Sequence, residues 1–232
     1  MTPVVQNEHL TRQMDIIDIG RLTKQEVNIV GAGAIGSFVA LELAKMGVQK
    51  ISVWDHDEVS IENMNNQFFR YSDIGKKKTL ALFDLVKDFT NTEIRHFPVR
   101  FGKTDGAMLH GIVVSAVDSM DARKMIFDGI LESGNANVAY IIDPRMSAES
   151  YTQYVTNLKD NVDSYKTSLY TDGEAVQERC TAKSTIYTAT LAAGMVTKTI
   201  KNMLMGEPHP KSIQWNINLS SQHTLSMFPN RT

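Results

Sequence analysis

The sequence has a single cysteine, Cys180, in 232 residues. One thiol excludes an intramolecular disulfide framework and any paired-cysteine zinc site, so no zinc is expected. A reducing, cytoplasmic setting is the simplest expectation for such a chain. No apolar run approaches the roughly 20 residues that a membrane span needs, and no membrane partner is expected. The start, "MTPVVQNEHLTRQMD", has no apolar centre of the kind a signal peptide carries. Neither sign of charge is in excess: 24 Lys and Arg stand against 26 Asp and Glu, a net −2. A general affinity for nucleic acid is therefore not expected. There is no internal repeat and no low-complexity segment.

What remains has the composition of an ordinary globular protein, with 42% hydrophobic and 22% charged residues. The length suits one sizeable core, and a single domain over residues 1–232 is the expectation. Residues 1–22 read as an arm with apolar points at Leu10, Met14, Ile16, Ile17 and Ile19, packed on the body. Residues 24–145 alternate strand and helix. "EVNIV", "KISVWD", residues 94–99, "GIVVSAV" and "VAYIID" read as strands. Residues 34–46, 75–89 and 121–133 carry helical spacing, and Gly47 suits a helix cap. The helix over 75–89 takes its apolar residues from Leu80, Leu82, Phe83, Leu85, Val86 and Phe89. From residue 146 the pattern changes. "ESYTQYVTNL", "SIQWNINL" and "HTLSMF" alternate like antiparallel strands. Residues 159–179 read as a mobile polar loop, and residues 181–205 as a long helix. The implied architecture is α/β: a Rossmann-like, mostly parallel sheet flanked by helices and extended by C-terminal antiparallel strands. Residues 24–145 would form its nucleotide-binding part and residues 146–232 its substrate side.

The first strand runs into "VGAGAIGS". Gly31 permits a tight turn, Gly33 lets backbone approach phosphate, and Gly36 lets helix and strand pack closely. The helix start, with Ala34 and Ile35, offers free N–H groups to an anion. Asp55 ends the second strand at the distance expected of a ribose ligand. These features fit any nucleotide, and an NAD-dependent oxidoreductase is one reading of them.

The next stretch, "DHDEVSIENMNNQFFRYSDIGKKKT", narrows the choice. Asp55, Asp57, Val59, Asn63 and Gln67, followed by Gly75 and Lys78, resemble the pattern D-x-D-x-V-x-x-x-N-x-x-R-Q…G-x-x-K. That is the pattern of the ThiF/MoeB/HesA family, relatives of the ubiquitin-activating enzymes. The Arg12-Gln13 pair before the first strand is similar too. So are Asp118 after the apolar strand and Cys180 before an Ala-rich helix. One position departs: the arginine of the family's R-Q pair is Asn66 here, and Arg70, four residues on, is the available substitute.

The resemblance implies ATP-dependent adenylation of a carboxylate with release of pyrophosphate. The expected partner is a small ubiquitin-like or sulfur-carrier protein ending in glycine. It further implies that Asp118 holds Mg²⁺, that Lys78, Asn63 and Gln67 contact the phosphates, and that Asp55 holds the ribose. Asp57 would place the following loop. Arg12 would reach the ATP of a second subunit in a homodimer. Without the resemblance, an Asp after a strand also suits a helix N-cap, the alternative role for Asp118. Cys180 is equally suited to be a nucleophile at a helix start or a small packing residue. Tyr165, Tyr170 and Gly173 would cover the substrate tail. A catalytically degenerate partner subunit, as Asn66 allows, is the remaining alternative.

Overall fold

The computed structural model describes residues 8–160, 162–170 and 184–228; of residues 8, 9 and 225–228 it describes the backbone only. Its centre is one sheet of eight strands in the order β3-β2-β1-β4-β5-β6-β7-β8. The strands β1 (Glu26–Val30), β2 (Lys50–Trp54), β3 (Arg95–Phe97), β4 (Gly111–Ser115) and β5 (Val138–Ser147) run parallel. The strands β6 (Ser150–Asn157), β7 (His209–Asn216) and β8 (Ser221–Phe228) then add on as an antiparallel meander. The parallel sheet with an antiparallel extension is the architecture the alternating pattern predicted.

The inner strands are apolar on both faces because helices cover both, which is why they read as continuous runs and not as alternation. One face buries Val27, Ile29, Ile51 and Val53 with Leu43 of α2 (Gly36–Met46), Leu82 of α3 (Lys78–Thr90) and Val196 of α6 (Ile186–Met205). The other face buries Val30, Trp54 and Val113 with Phe127 of α4 (Met120–Glu132) and Tyr165 of α5 (Val162–Lys166). Helix α2 ends where expected: Gly47, at φ 114°, returns its N–H to the carbonyls of Leu43 and Ala44.

The arm is anchored at three points. Leu10 is fully buried, Ile19 and Leu22 of α1 (Ile19–Leu22) pack beneath it, and Gln13 donates to the carbonyl of Lys45 at 3.1 Å. Met14 and Ile16, expected to pack, are exposed instead.

Several other expectations need correction. Helix α3 starts at Lys78, not at residue 75, because residues 75–77 are held elsewhere. Gly75 donates to Val59 O, Lys77 bridges Glu58, and Lys78 N–H reaches Asp57 O. Leu80 and Phe89 stay exposed on α3. The third strand is three residues long. Helix α6 begins at Ile186, capped by the Thr185 hydroxyl. The loop expected over 159–179 contains α5, whose Tyr165 is 2% exposed and stacks edge-on against Phe127. Tyr165 is thus a core residue and does not cover a substrate. Tyr170 is exposed, whereas Gly173 and Cys180 lie outside the described residues.

Candidate functional site

The three central strands end together. Val30 of β1 lies between Trp54 of β2 and Ser115 of β4. The segments that follow, with the glycines, Asp55 and Asp118, therefore share the carboxyl edge of the sheet, where open α/β folds bind ligands.

The three glycines have three different reasons. Gly31 has φ 101°, and a Cβ there would stand 2.4 Å from the carbonyl oxygen of Ala116. A Cβ on Gly36 would stand 1.9 Å from Gly31 O. Both positions are required by the fold. A Cβ on Gly33 would meet nothing within 4 Å, so the fold does not require glycine there. Ser37 N–H bonds Gly33 O, and α2 has no side-chain cap. The N–H groups of Gly33, Ala34, Ile35 and Gly36 have no acceptor among the described residues. Four free donors at a helix start form an anion cradle.

Asp55 ties this loop to β2. Its Oδ2 accepts from Ala32 N–H at 2.7 Å and its Oδ1 from Asp57 N–H at 2.8 Å. Each oxygen retains a lone pair for a further donor. Lys78, nearly buried at the start of α3, donates from Nζ to Asp57 Oδ2 at 3.0 Å. Burial alone would raise the Asp57 pKa. The Lys78 hydrogen bond and charge, helped by His56 and Arg100, outweigh it and hold the carboxyl below its usual range.

Farther along, Asn63 uses Oδ1 to accept from Ser60 N–H at 2.9 Å, which leaves its amide NH₂ to donate. The Oε1 of Gln67 is buried without a partner among the described residues. Such an atom needs a donor, which a bound ligand or water supplies. Asn66 donates its amide to the Ser184 hydroxyl just ahead of α6.

Arg70 is the substitution the structure does not support. Its guanidinium lies on Asp73 at 3.0 Å and on Asp88 of α3 at 3.2 Å, and two carboxylates already satisfy it.

Asp118 lies in the turn after β4, three residues beyond the strand. The α4 cap is Ser119, whose hydroxyl accepts from Ala122 N–H at 3.2 Å. The carboxylate of Asp118 is exposed and has no hydrogen-bond partner among the described residues. The close group of metal-type ligands among those residues is a different one, Asp55, His56 and Asp57, with ligand atoms within 4.8 Å of one another. Its acids are already bonded to backbone N–H groups and Lys78, and an imidazole suits Mg²⁺ poorly. An unengaged carboxylate beside an anion cradle fits that ion better.

Arg12 is exposed and lies at the opposite end of α2 from the glycine loop, where its neighbour Gln13 bonds Lys45. An 11-residue helix separates the two ends by about 16 Å.

Sequence reasoning missed a buried cluster beneath the Asp118 turn. Asp143 of β5 is fully buried and paired with Arg123 of α4 at 2.8 Å and Arg145 at 2.7 Å. Its Oδ2 also accepts from Tyr165 OH at 3.0 Å. Arg145 is two residues from Asp143 on the same strand, but Arg123 and Tyr165 are 20 and 22 positions from it, so only the fold brings those two to the carboxylate. No helix among the described residues is long and apolar enough to cross a membrane.

Comparison with known proteins agrees with this geometry. Ubiquitin-like modifier-activating enzyme 5 from Dictyostelium discoideum is 31% identical over 157 residues, 57% of this chain and 41% of that protein. Adenylyltransferase and sulfurtransferase MOCS3-1 from Zea mays is 29% identical over 113 residues, 47% of this chain and 24% of that protein. The chain thus spans less than half the length of these relatives. Among solved structures, PaaA superposes with a TM-score of 0.75 at 18% identity, covering 98% of this chain and 86% of that one. Escherichia coli MccB with ATP gives a TM-score of 0.70 at 17% identity, covering 92% and 67%. At such identity the superpositions speak for the fold alone. A model of the ThiF family matches residues 9–232, through the glycine loop, the Asp55–Lys78 stretch and Asp118, and the chain belongs to that family.

Proposed function

We propose that this chain binds ATP at the start of α2 and adenylates a carboxylate, the C-terminal glycine of a small ubiquitin-like or sulfur-carrier protein. A carboxylate oxygen attacks the α-phosphorus, the bond to the bridging oxygen of the β-phosphate breaks, and pyrophosphate leaves. Two anions must meet, so catalysis is largely positioning and charge neutralisation. In this reading the free amides of residues 33–36 cradle phosphate, Asp55 accepts from the ribose hydroxyls, and Lys78, Asn63 and Gln67 donate to phosphate oxygens. Asp118 would hold Mg²⁺, which supplies charge neutralisation at the phosphates when bound. Arg12 acts on the site of a second copy in a homodimer. Onward transfer belongs to the same proposal: the Cys180 thiolate attacks the acyl carbon of the adenylate, the bond to the phosphate oxygen breaks, and AMP leaves as the thioester forms. MccB has been solved with ATP and with MccA, and the relatives named above are an activating enzyme and an adenylyltransferase.

The observation that carries the reading is the open space at Gly33 beside four amides that have no acceptor among the described residues. It is tested by ATP–pyrophosphate exchange with candidate carrier proteins ending in glycine, in the wild type and in Gly33→Ala. The wild type should exchange label only with Mg²⁺ and a carrier. Gly33→Ala should melt within about 2 °C of the wild type yet bind ATP about tenfold more weakly, because its methyl occupies ligand space. Wild-type ATP affinity in that variant overturns the placement.

One observation favours a second reading, a nucleotide-binding subunit without activity of its own. Asn66 replaces the family's arginine and donates to Ser184. Magnesium-dependent ATP binding with no exchange for any carrier would select it, and NAD binding would revive the oxidoreductase.

A further inference from the structure

The buried cluster around Asp143 has one arm that its charge balance does not require. Arg123 donates from Nε to Asp143 Oδ1 at 2.8 Å and from Nη2 to the carbonyl of Val117 at 2.6 Å. Val117 immediately precedes Asp118. Asp143 does not depend on Arg123 for charge balance, because Arg145 gives it a second guanidinium through Nε at 2.9 Å and Nη2 at 2.7 Å. Arg145 is itself fastened to Ser168 through the carbonyl and the hydroxyl. One carboxylate therefore takes two arginines, and the additional one reaches out to the turn.

That turn is gripped on each side of Asp118. Ala116 N–H bonds Val30 O at 2.8 Å, Arg123 holds Val117 O, and Ser119 caps α4. The carboxylate between these grips is left unpartnered. A ligating group on a backbone held this way is preorganised, and the planar fork of arginine is suited to span two fixed acceptors.

We propose that Arg123 is a positioning residue for the Asp118 carboxylate, acting through the Val117 carbonyl with Asp143 as its anchor. This deepens the adenylation reading and rests on it for the role of Asp118. Without the fork the turn can shift, and misplacement of about 1 Å is enough to cost about a hundredfold in rate.

The test uses the full chain as Arg123→Gln and Tyr165→Phe. In Arg123→Gln the Asp143–Arg145 pair remains charge-balanced, so the fold is retained. Tyr165→Phe removes a different hydrogen bond to Asp143 and leaves the Val117 grip intact. The primary readout is the Mg²⁺ concentration that half-saturates ATP binding, with kcat and KM for exchange beside it. Arg123→Gln should raise half-saturating Mg²⁺ about fivefold or more and lower kcat about tenfold, with KM for ATP within about twofold. Tyr165→Phe should lower the Tm while leaving Mg²⁺ dependence and kcat at wild-type values. Wild-type Mg²⁺ dependence in Arg123→Gln overturns the proposal, as does an equal shift in Tyr165→Phe. If the wild type binds Mg²⁺ and ATP but exchanges nothing, adenylation fails while the binding readout still decides the role of Arg123. If Mg²⁺ has no effect on wild-type ATP binding, both fall.

Discussion

Asp118→Asn should lose ATP–pyrophosphate exchange by at least about a hundredfold while melting within about 2 °C of the wild type. The two halves of that result have separate causes. Asparagine is nearly isosteric but neutral, so it offers a divalent cation a dipole where a charge stood. The fold is indifferent because Asp118 is exposed and unpaired among the described residues and because Ser119, not Asp118, caps α4. Exchange kinetics and thermal denaturation on the same preparation check both. Normal exchange would remove Asp118 from the chemistry. A large fall in Tm would mean that the carboxylate supports the turn and does not serve a ligand.

Asp143→Ala should show the opposite pattern, a structural loss of about 3–5 kcal/mol and a fall in Tm of about 10 °C. Asp143 is fully buried and answers two guanidiniums and the Tyr165 hydroxyl. Its removal leaves two cations facing each other in the interior, with their desolvation uncompensated. Arg123 and Arg145 together span α4, β5 and, through Ser168, the end of the α5 segment, so the damage extends beyond one contact. Urea denaturation followed by tryptophan fluorescence is the measurement, since Trp54 belongs to the hydrophobic cluster on the same face as Tyr165. A loss below about 1 kcal/mol would show that water takes over the role of the carboxylate.

The parts that could be read from the sequence are those coded locally. The strand, three glycines, a helix and Asp55 occupy one short span, and each term has a spacing set by backbone geometry. The parallel direction of the first strands follows from their alternation with helices, whereas their order in the sheet appears only in the fold. Position alone makes Arg70 available, whereas Asp73, three residues on, and Asp88 of α3 hold it. The i,i+3 pairing with Asp73 could have been found by charge spacing. The Arg123–Asp143–Arg145–Tyr165 cluster could not. Asp143 and Arg145 are two residues apart on one strand, but Arg123 and Tyr165 come from two different helices, and no local period links them to that pair. Tyr165 was assigned to a mobile loop because its surroundings in sequence are polar, yet its ring fills the core beside Phe127.

The anchorage of the arm bears on how activity would depend on protein concentration. With Leu10 buried and Gln13 bonded to Lys45, Arg12 cannot swing to the glycine loop of its own chain at the far end of α2. An arginine that acts at a nucleotide from there acts only when two chains meet. Turnover per molecule would then fall on dilution below the dissociation constant of the pair, and a mixture of Arg12→Ala and Asp118→Asn chains would recover activity that neither has alone. One functional site would then be assembled from the sound arm of one chain and the sound turn of the other.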